Sequence, residues 1–222
     1  MIKKFFFVNH KLFFLILLSL FFHLLAAYFS QGFYEQDEHF SILEPITFKF
    51  GKNATLGWDF FQYYDKQWIL SFIFYYLINF LQFFGMESPF KWMVIIRTLT
   101  AILGWISILC LIHLAKKQLY SEKYLNILIL LSSIFWFYPY IHARPASENI
   151  SISFLIIAIT LFTYFNKNKK IIFLCGIIFG LSIMTRYTNI VIVGCFGIWA
   201  ILFRKVNFFD VCLLILGFIL IF

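Results

Sequence analysis

The stretch Tyr34-Glu35-Gln36-Asp37-Glu38-His39-Phe40 places three carboxylates within four residues. Charges of one sign set so close repel each other and are costly in an apolar setting unless something uses them. Carboxylates at such a site can accept a proton or bind a cation. A metal set made from Asp37, Glu38 and His39 is disfavoured, because consecutive residues on one helix point in different directions. Farther along, Asp37, Ser41 and Glu44 share a face at i, i+4, i+7, while Phe40, Leu43, Ile46 or Thr47, and Phe50 form an apolar stripe, and Gly51 is a helix stop. The expected element is an amphipathic helix with paired acids at its N-terminal end. The same cluster is equally what a solvated loop preceding a helix N-terminus would carry.

Two later places carry charge among apolar neighbours. In His142-Ala143-Arg144-Pro145-Ala146-Ser147-Glu148, Arg144 and Glu148 stand four apart, a spacing that also suits a simple ion pair at a helix start. In Gly180-Leu181-Ser182-Ile183-Met184-Thr185-Arg186-Tyr187 a lone Arg186 lies between two apolar segments, either as a functional group or as a side chain snorkelling to headgroups. His10, His23 and His113 read as solitary. The four cysteines lie in apolar segments without metal-site spacing, so no metal and no cofactor is expected. The sequons at Asn53 and Asn149 are chance-level patterns.

The elements that position these groups are apolar. Hydrophobic residues make up 63% of the 222 residues and charged ones only 13%, against roughly 45–50% and 25% in a soluble domain. The net charge of +8 sits in small basic groups between apolar runs, the pattern of cytoplasmic loops, which argues against nucleic acid as a partner. The first run, Leu12 to Phe29, reaches roughly 27 Å and reads as an uncleaved anchor. Further runs cover about 68–84, 92–114, 124–141, 150–165, 171–185, 187–203 and 211–222. If 68–84 lies at the outer interface instead of crossing, 11 of the 18 Lys and Arg fall on the cytoplasmic side and 8 of the 10 acids outside. A polar stripe of Gln67, Ser71, Tyr75, Asn79 and Gln82 agrees with an interfacial helix. The last run, Val211 to Phe222, reaches only roughly 18 Å of a core about 30 Å thick, so the chain reads as the cut-short start of a longer protein that transfers nothing alone.

The run Asp37-Glu38-His39-Phe40-Ser41-Ile42-Leu43-Glu44, then Gly51 and Trp58-Asp59, resembles the first outer loop of glycosyltransferase family 22, the polyprenyl-phosphate-mannose-dependent mannosyltransferases of the GT-C superfold. The family pattern is similar to His-Pro-Asp-Glu-x-Phe-Gln-x-x-Glu, then Gly, then Trp-Glu. Here Glu35-Gln36 replaces His-Pro, Ser41 replaces Gln and Asp59 replaces Glu, and no Arg-Ser-x-x-x-Pro element follows.

The resemblance implies an all-α polytopic membrane protein, a GT-C-like N-terminal module in one transmembrane domain over 1–222, with an outer loop at 30–91 carrying interfacial helices. It implies Asp37 as general base and Glu38 as the group orienting the acceptor. Glu44, Trp58, Asp59, Arg144, Glu148 and Arg186 are the implied substrate-binding residues, with Arg144 or Arg186 on the lipid phosphate. The implied partners are a polyprenyl-phosphate-sugar donor, a glycan or glycolipid acceptor and membrane lipid, in a metal-independent, inverting transfer; a bacterial inner membrane is favoured over the endoplasmic reticulum. The rival readings are a lipid or polysaccharide transporter and an inactive fragment.

Overall fold

The computed structural model describes residues 10–32, 38–56, 68–119, 121–165, 167–204 and 207–221. Every regular element among them is helical. Helix α1 is His10–Phe29; a π-helical turn, His39–Leu43, runs into α2, Glu44–Lys49; α3 is Ile69–Phe83 and α4 Pro89–Gln118. Then follow α5 Glu122–Ile134, α6 Phe137–His142, α7 Ser147–Phe165, α8 Lys169–Thr185, α9 Asn189–Arg204 and α10 Phe208–Ile219. By length and composition two of these, α4 and α7, are long and apolar enough to cross a membrane. Large apolar side chains are exposed along α1, α3 and α9, including Phe14, Phe83, Val191 and Leu202. A water-soluble domain rarely shows so much contiguous apolar surface.

Helix α1 packs against α4, α5 and α6, and a row of helices runs from α4 through α7 and α8 to α10. One core gathers Ile42, Ile46, Phe74, Ile78, Ile96 and Ile150, joining the π-turn, α2, α3, α4 and α7. A second joins α7, α8, α9 and α10 through Phe162, Phe179, Ala200 and Leu214. Three small residues, Ala27, Ala101 and Ala143, bring α1, α4 and the α6–α7 turn close together.

Three local features depart from the sequence reading. The π-turn closes with the Glu44 N–H donating to the His39 carbonyl, five residues back. This wider turn carries Ile42 inward to 2% exposure and turns Phe40 outward to 37%, so the buried face runs through Glu38, Ile42, Pro45 and Ile46 rather than beginning at Phe40. Helix α2 then ends at Gly51, whose φ of +70° suits glycine.

The polar stripe of α3 also turns inward. Ser71 is fully buried and its Oγ donates to the Ile42 carbonyl at 3.2 Å, and the Tyr75 ring packs on Phe50 at 4.8 Å. The outward face is aromatic, with Phe72, Tyr76, Phe80 and Phe83. Finally, the apolar run 124–141 is not one helix. It breaks at Phe135, whose ψ of 113° is extended, and resumes as α6, with Pro139 inside the second piece.

Helices α8 and α10 cross without side chains between them. A Cβ at Gly176 would lie 2.2 Å from the Leu214 carbonyl oxygen, and one at Gly217 would lie 2.3 Å from that of Phe173. Neither backbone can yield without separating the helices. Gly176→Leu is therefore expected to destabilise by about 1–3 kcal/mol, the usual cost of overpacking. The check is the thermal unfolding midpoint in detergent, with Gly194→Ala as control because nothing lies within 4 Å of its Cβ position. Equal midpoints for both variants would mean that the crossing is loose.

Candidate functional site

The segment leaving α1 is held by two buried arginines. Arg97, in the third turn of α4, donates through Nη1 to the Ser30 carbonyl and through Nη2 to the Gly32 carbonyl at 2.5 Å. Arg144, from the α6–α7 turn, donates through Nη1 to the Gly32 carbonyl at 2.9 Å and through Nη1 and Nη2 to that of Gln31 at 3.4 Å each. Three successive carbonyls are thus gripped from two sides. Gly32 makes this turn possible with φ at +67°. The arginines are 7% and 6% exposed, and both Nε atoms are buried without a hydrogen-bond partner among the described residues.

Glu38 completes the cluster. It is 1% exposed, and its charge and that of Arg144 both act on the Arg97 guanidinium. Among the described residues, two cations and one anion thus meet immediately after α1.

Glu44 is occupied by its own loop: Oε1 stands 3.0 Å from Nε2 of His39, and Oε2 accepts from the Thr55 N–H at 2.7 Å. Its role here is to tie the chain beyond Gly51 to the π-turn.

The spacing of Arg144 and Glu148 suggested a pair, and that expectation is corrected. Arg144 is committed to the Gln31 and Gly32 carbonyls, and Glu148 instead forms an ion pair with Arg186 and accepts from Ser147 Oγ at 3.0 Å. The reason is position. Glu148 opens α7 while Arg186 caps the end of α8, so the packed helices bring their termini together. The Arg186 and Glu148 side chains are 40% and 36% exposed, which leaves this pair open to a ligand.

Asn149 donates to the Ile141 and Arg144 carbonyls at 3.1 and 3.2 Å and holds the turn that presents Arg144. It is structural rather than a glycan acceptor. His23 and His113 are not solitary: His23 lies 3.0 Å from His142, and His113 stacks on Tyr164 at 3.8 Å. Asp37, Trp58 and Asp59 lie outside the described residues. Among the described residues no group of three or more His, Cys, Asp or Glu is arranged to hold a metal ion.

A sequence model of the Alg9-like mannosyltransferase family matches residues 13–222. The chain belongs to that family. No curated protein and no solved structure matches it. As a member of the Alg9-like family it is a glycosyltransferase-like, membrane-associated enzyme with an all-α fold.

Within the Alg9-like fold, Arg97 is the residue that sequence reasoning passed over. The signal was present, since it is an ionisable group within the apolar run 92–114, where such groups are rare and functional by default.

The clasp makes a measurable demand. Removing one guanidinium leaves carbonyls desolvated, at a cost of about 1–3 kcal/mol for each group left unsatisfied. Arg144→Gln is expected to raise amide hydrogen exchange at residues 30–32 while leaving exchange in α8 unchanged. Unaltered exchange at residues 30–32 would show that the clasp does not hold them.

Proposed function

We propose that the protein moves a hexose, mannose first among candidates, from a polyprenyl-phosphate sugar to a lipid-linked or glycan acceptor at the outer face of a membrane that it crosses several times, with inversion. The observation that carries this reading is Glu38, buried with its charge acting on Arg97 and directly following Asp37 in a chain of the Alg9-like mannosyltransferase family. A solvated loop has no reason to bury its acid where its charge acts on a buried arginine.

In the proposed step an acceptor hydroxyl oxygen attacks the anomeric carbon, and the bond from that carbon to the phosphate oxygen breaks. The polyprenyl phosphate leaves with the electron pair. The hydroxyl proton passes to Asp37 as general base. Glu38, buried with its charge acting on Arg97, positions this acid beside the acceptor sugar. Trp58 and Asp59 are assigned to the acceptor, with Glu44 fixing the loop that carries them. Arg186 is the better choice for the donor phosphate, because Arg144 spends its donors on backbone carbonyls while Arg186 is part-exposed at the end of α8. Glu148 keeps that guanidinium oriented until the donor arrives.

Asp37→Asn keeps the size of the side chain but cannot take the proton, and loss of a general base typically costs about 10²–10⁴ in rate. The assay is transfer from a radiolabelled polyprenyl-phosphate mannose in membranes holding equal amounts of inserted full gene product, with Asp59→Asn expected to cost less. Near-wild-type turnover by Asp37→Asn would overturn the base assignment and bring Glu38 forward. Arg186→Gln should raise the donor KM about tenfold or more, the worth of a charge-assisted hydrogen bond of about 1.5–3 kcal/mol, with kcat less affected. An unchanged donor KM would place the phosphate elsewhere.

A further inference from the structure

Beneath the α6–α7 turn lies a cavity of about 330 Å³ between α4, α6 and α7, with walls formed largely by Ile108, Leu111, Ile152 and Ile156. A cavity of about 150 Å³ takes up benzene, so this one has room for a molecule of roughly a dozen heavy atoms. Its polar side chains mostly satisfy themselves. Ser107 Oγ donates to the Gly104 carbonyl at 2.7 Å, and Ser153 Oγ donates to that of Asn149 at 2.8 Å. The Asn149 amide is spent on the turn. Arg144 and Glu148 also line it, with the Arg144 Nη atoms spent on the Gln31 and Gly32 carbonyls and Glu148 on Arg186, and His142 offers an acceptor.

His142 is 8% exposed, and its Nδ1 lies 3.0 Å from Nε2 of His23, which comes from the middle of α1 and is fully buried. Nδ1 of His23 lies 2.7 Å from the Ser19 carbonyl oxygen. A carbonyl only accepts, so Nδ1 of His23 carries the proton. In a neutral ring Nε2 is then an acceptor, and it takes its hydrogen bond from Nδ1–H of His142. That leaves Nε2 of His142 with a lone pair and no hydrogen-bond partner among the described residues. Burial keeps both rings neutral, since an imidazolium there would lose its hydration. The chain of bonds therefore fixes the tautomer of a residue two rings away. Gly104 makes the arrangement possible: a Cβ there would stand 2.2 Å from Cγ of His142.

We propose that this cavity is a binding site for a neutral, apolar molecule carrying one hydroxyl group, whose O–H donates to Nε2 of His142. The lone pair accepts a donor and disfavours an anion, and the aliphatic walls favour a hydrocarbon body. The cavity shares Arg144 with the arginine cluster and Glu148 with the Arg186 pair, and its test reads binding at His142 rather than sugar transfer.

The test uses the full chain with 15N-labelled histidine in phosphatidylcholine nanodiscs. Both His23 and His142 should show the Nδ1–H tautomer, the one free histidine favours less. Adding 1-decanol should shift the His142 Nε2 resonance, and decyl methyl ether, of the same shape but with no donor, should not. The alcohol should bind about threefold to tenfold more tightly than the ether, the worth of one hydrogen bond. In His142→Asn the amide replaces Nδ1 and keeps the link to His23 but deletes the acceptor, so the alcohol and ether should perturb the His23 resonances at equal concentrations. Gly104→Ala should abolish the fixed tautomer by displacing the ring. An Nε2–H tautomer at His142, equal responses to alcohol and ether in the wild type, or a lone pair satisfied by water alone would each overturn the proposal.

Discussion

The grip of Arg97 and Arg144 on the carbonyls of residues 30–32 is the constraint from which the rest of the site follows. Energetically it is close to neutral. Burying a guanidinium costs several kcal/mol after relaxation, and each hydrogen bond to a charged group returns about 1.5–3 kcal/mol. Such an arrangement contributes little net stability, and what it supplies is placement. The chain leaves α1 in one direction only, with the carbonyls of residues 30–32 fixed by the two arginines. Glu38 then offsets part of the positive charge, so the cluster needs its acid as much as the acid needs the cluster.

The packing around the clasp serves the same end. Ala27, Ala101 and Ala143 let α1, α4 and the α6–α7 turn approach closely enough for side chains from α4 and the turn to meet over one short segment. The α7–α8 and α8–α10 contacts bring the start of α7 beside the end of α8, where Glu148 and Arg186 pair. The Glu148–Arg186 pair sits at helix ends, whereas Arg97 reaches the segment after α1 from the third turn of α4.

Much of this was legible in the residues. The apolar runs gave the helices, and the acidic motif with Gly51 gave the family that residues 13–222 match. Three things were not. The exchange of partners by Arg144 and Glu148 depends on which helix termini meet, and spacing along one chain favours the nearer partner over the true one. The rotation that buries Ile42 comes from a π-turn, which the periodicity of an ordinary helix does not describe. Arg97 and His23 were visible as polar interruptions of apolar runs, but their partners lie 65 and 119 residues away, beyond the reach of local pattern. The roles of Asp37, Trp58 and Asp59 rest on resemblance alone, because these residues lie outside the described structure.

The π-turn at His39–Leu43 ties the reading frame of the loop to its three-dimensional frame. Upstream, the arginines fix where the chain begins; downstream, Ile42 and Ile46 are anchored in the core with Phe74 and Ile78. The extra residue in the turn sets how Glu38 is rotated relative to Ile42 and Ile46. Losing one residue there would restore a regular helix and swing Glu38 by roughly 100° about the axis, away from the arginines, without changing any side chain's identity. Length between the clasp and the core is therefore as much a determinant of this site as composition, and among relatives a one-residue gap in this turn would signal an altered site more strongly than most substitutions.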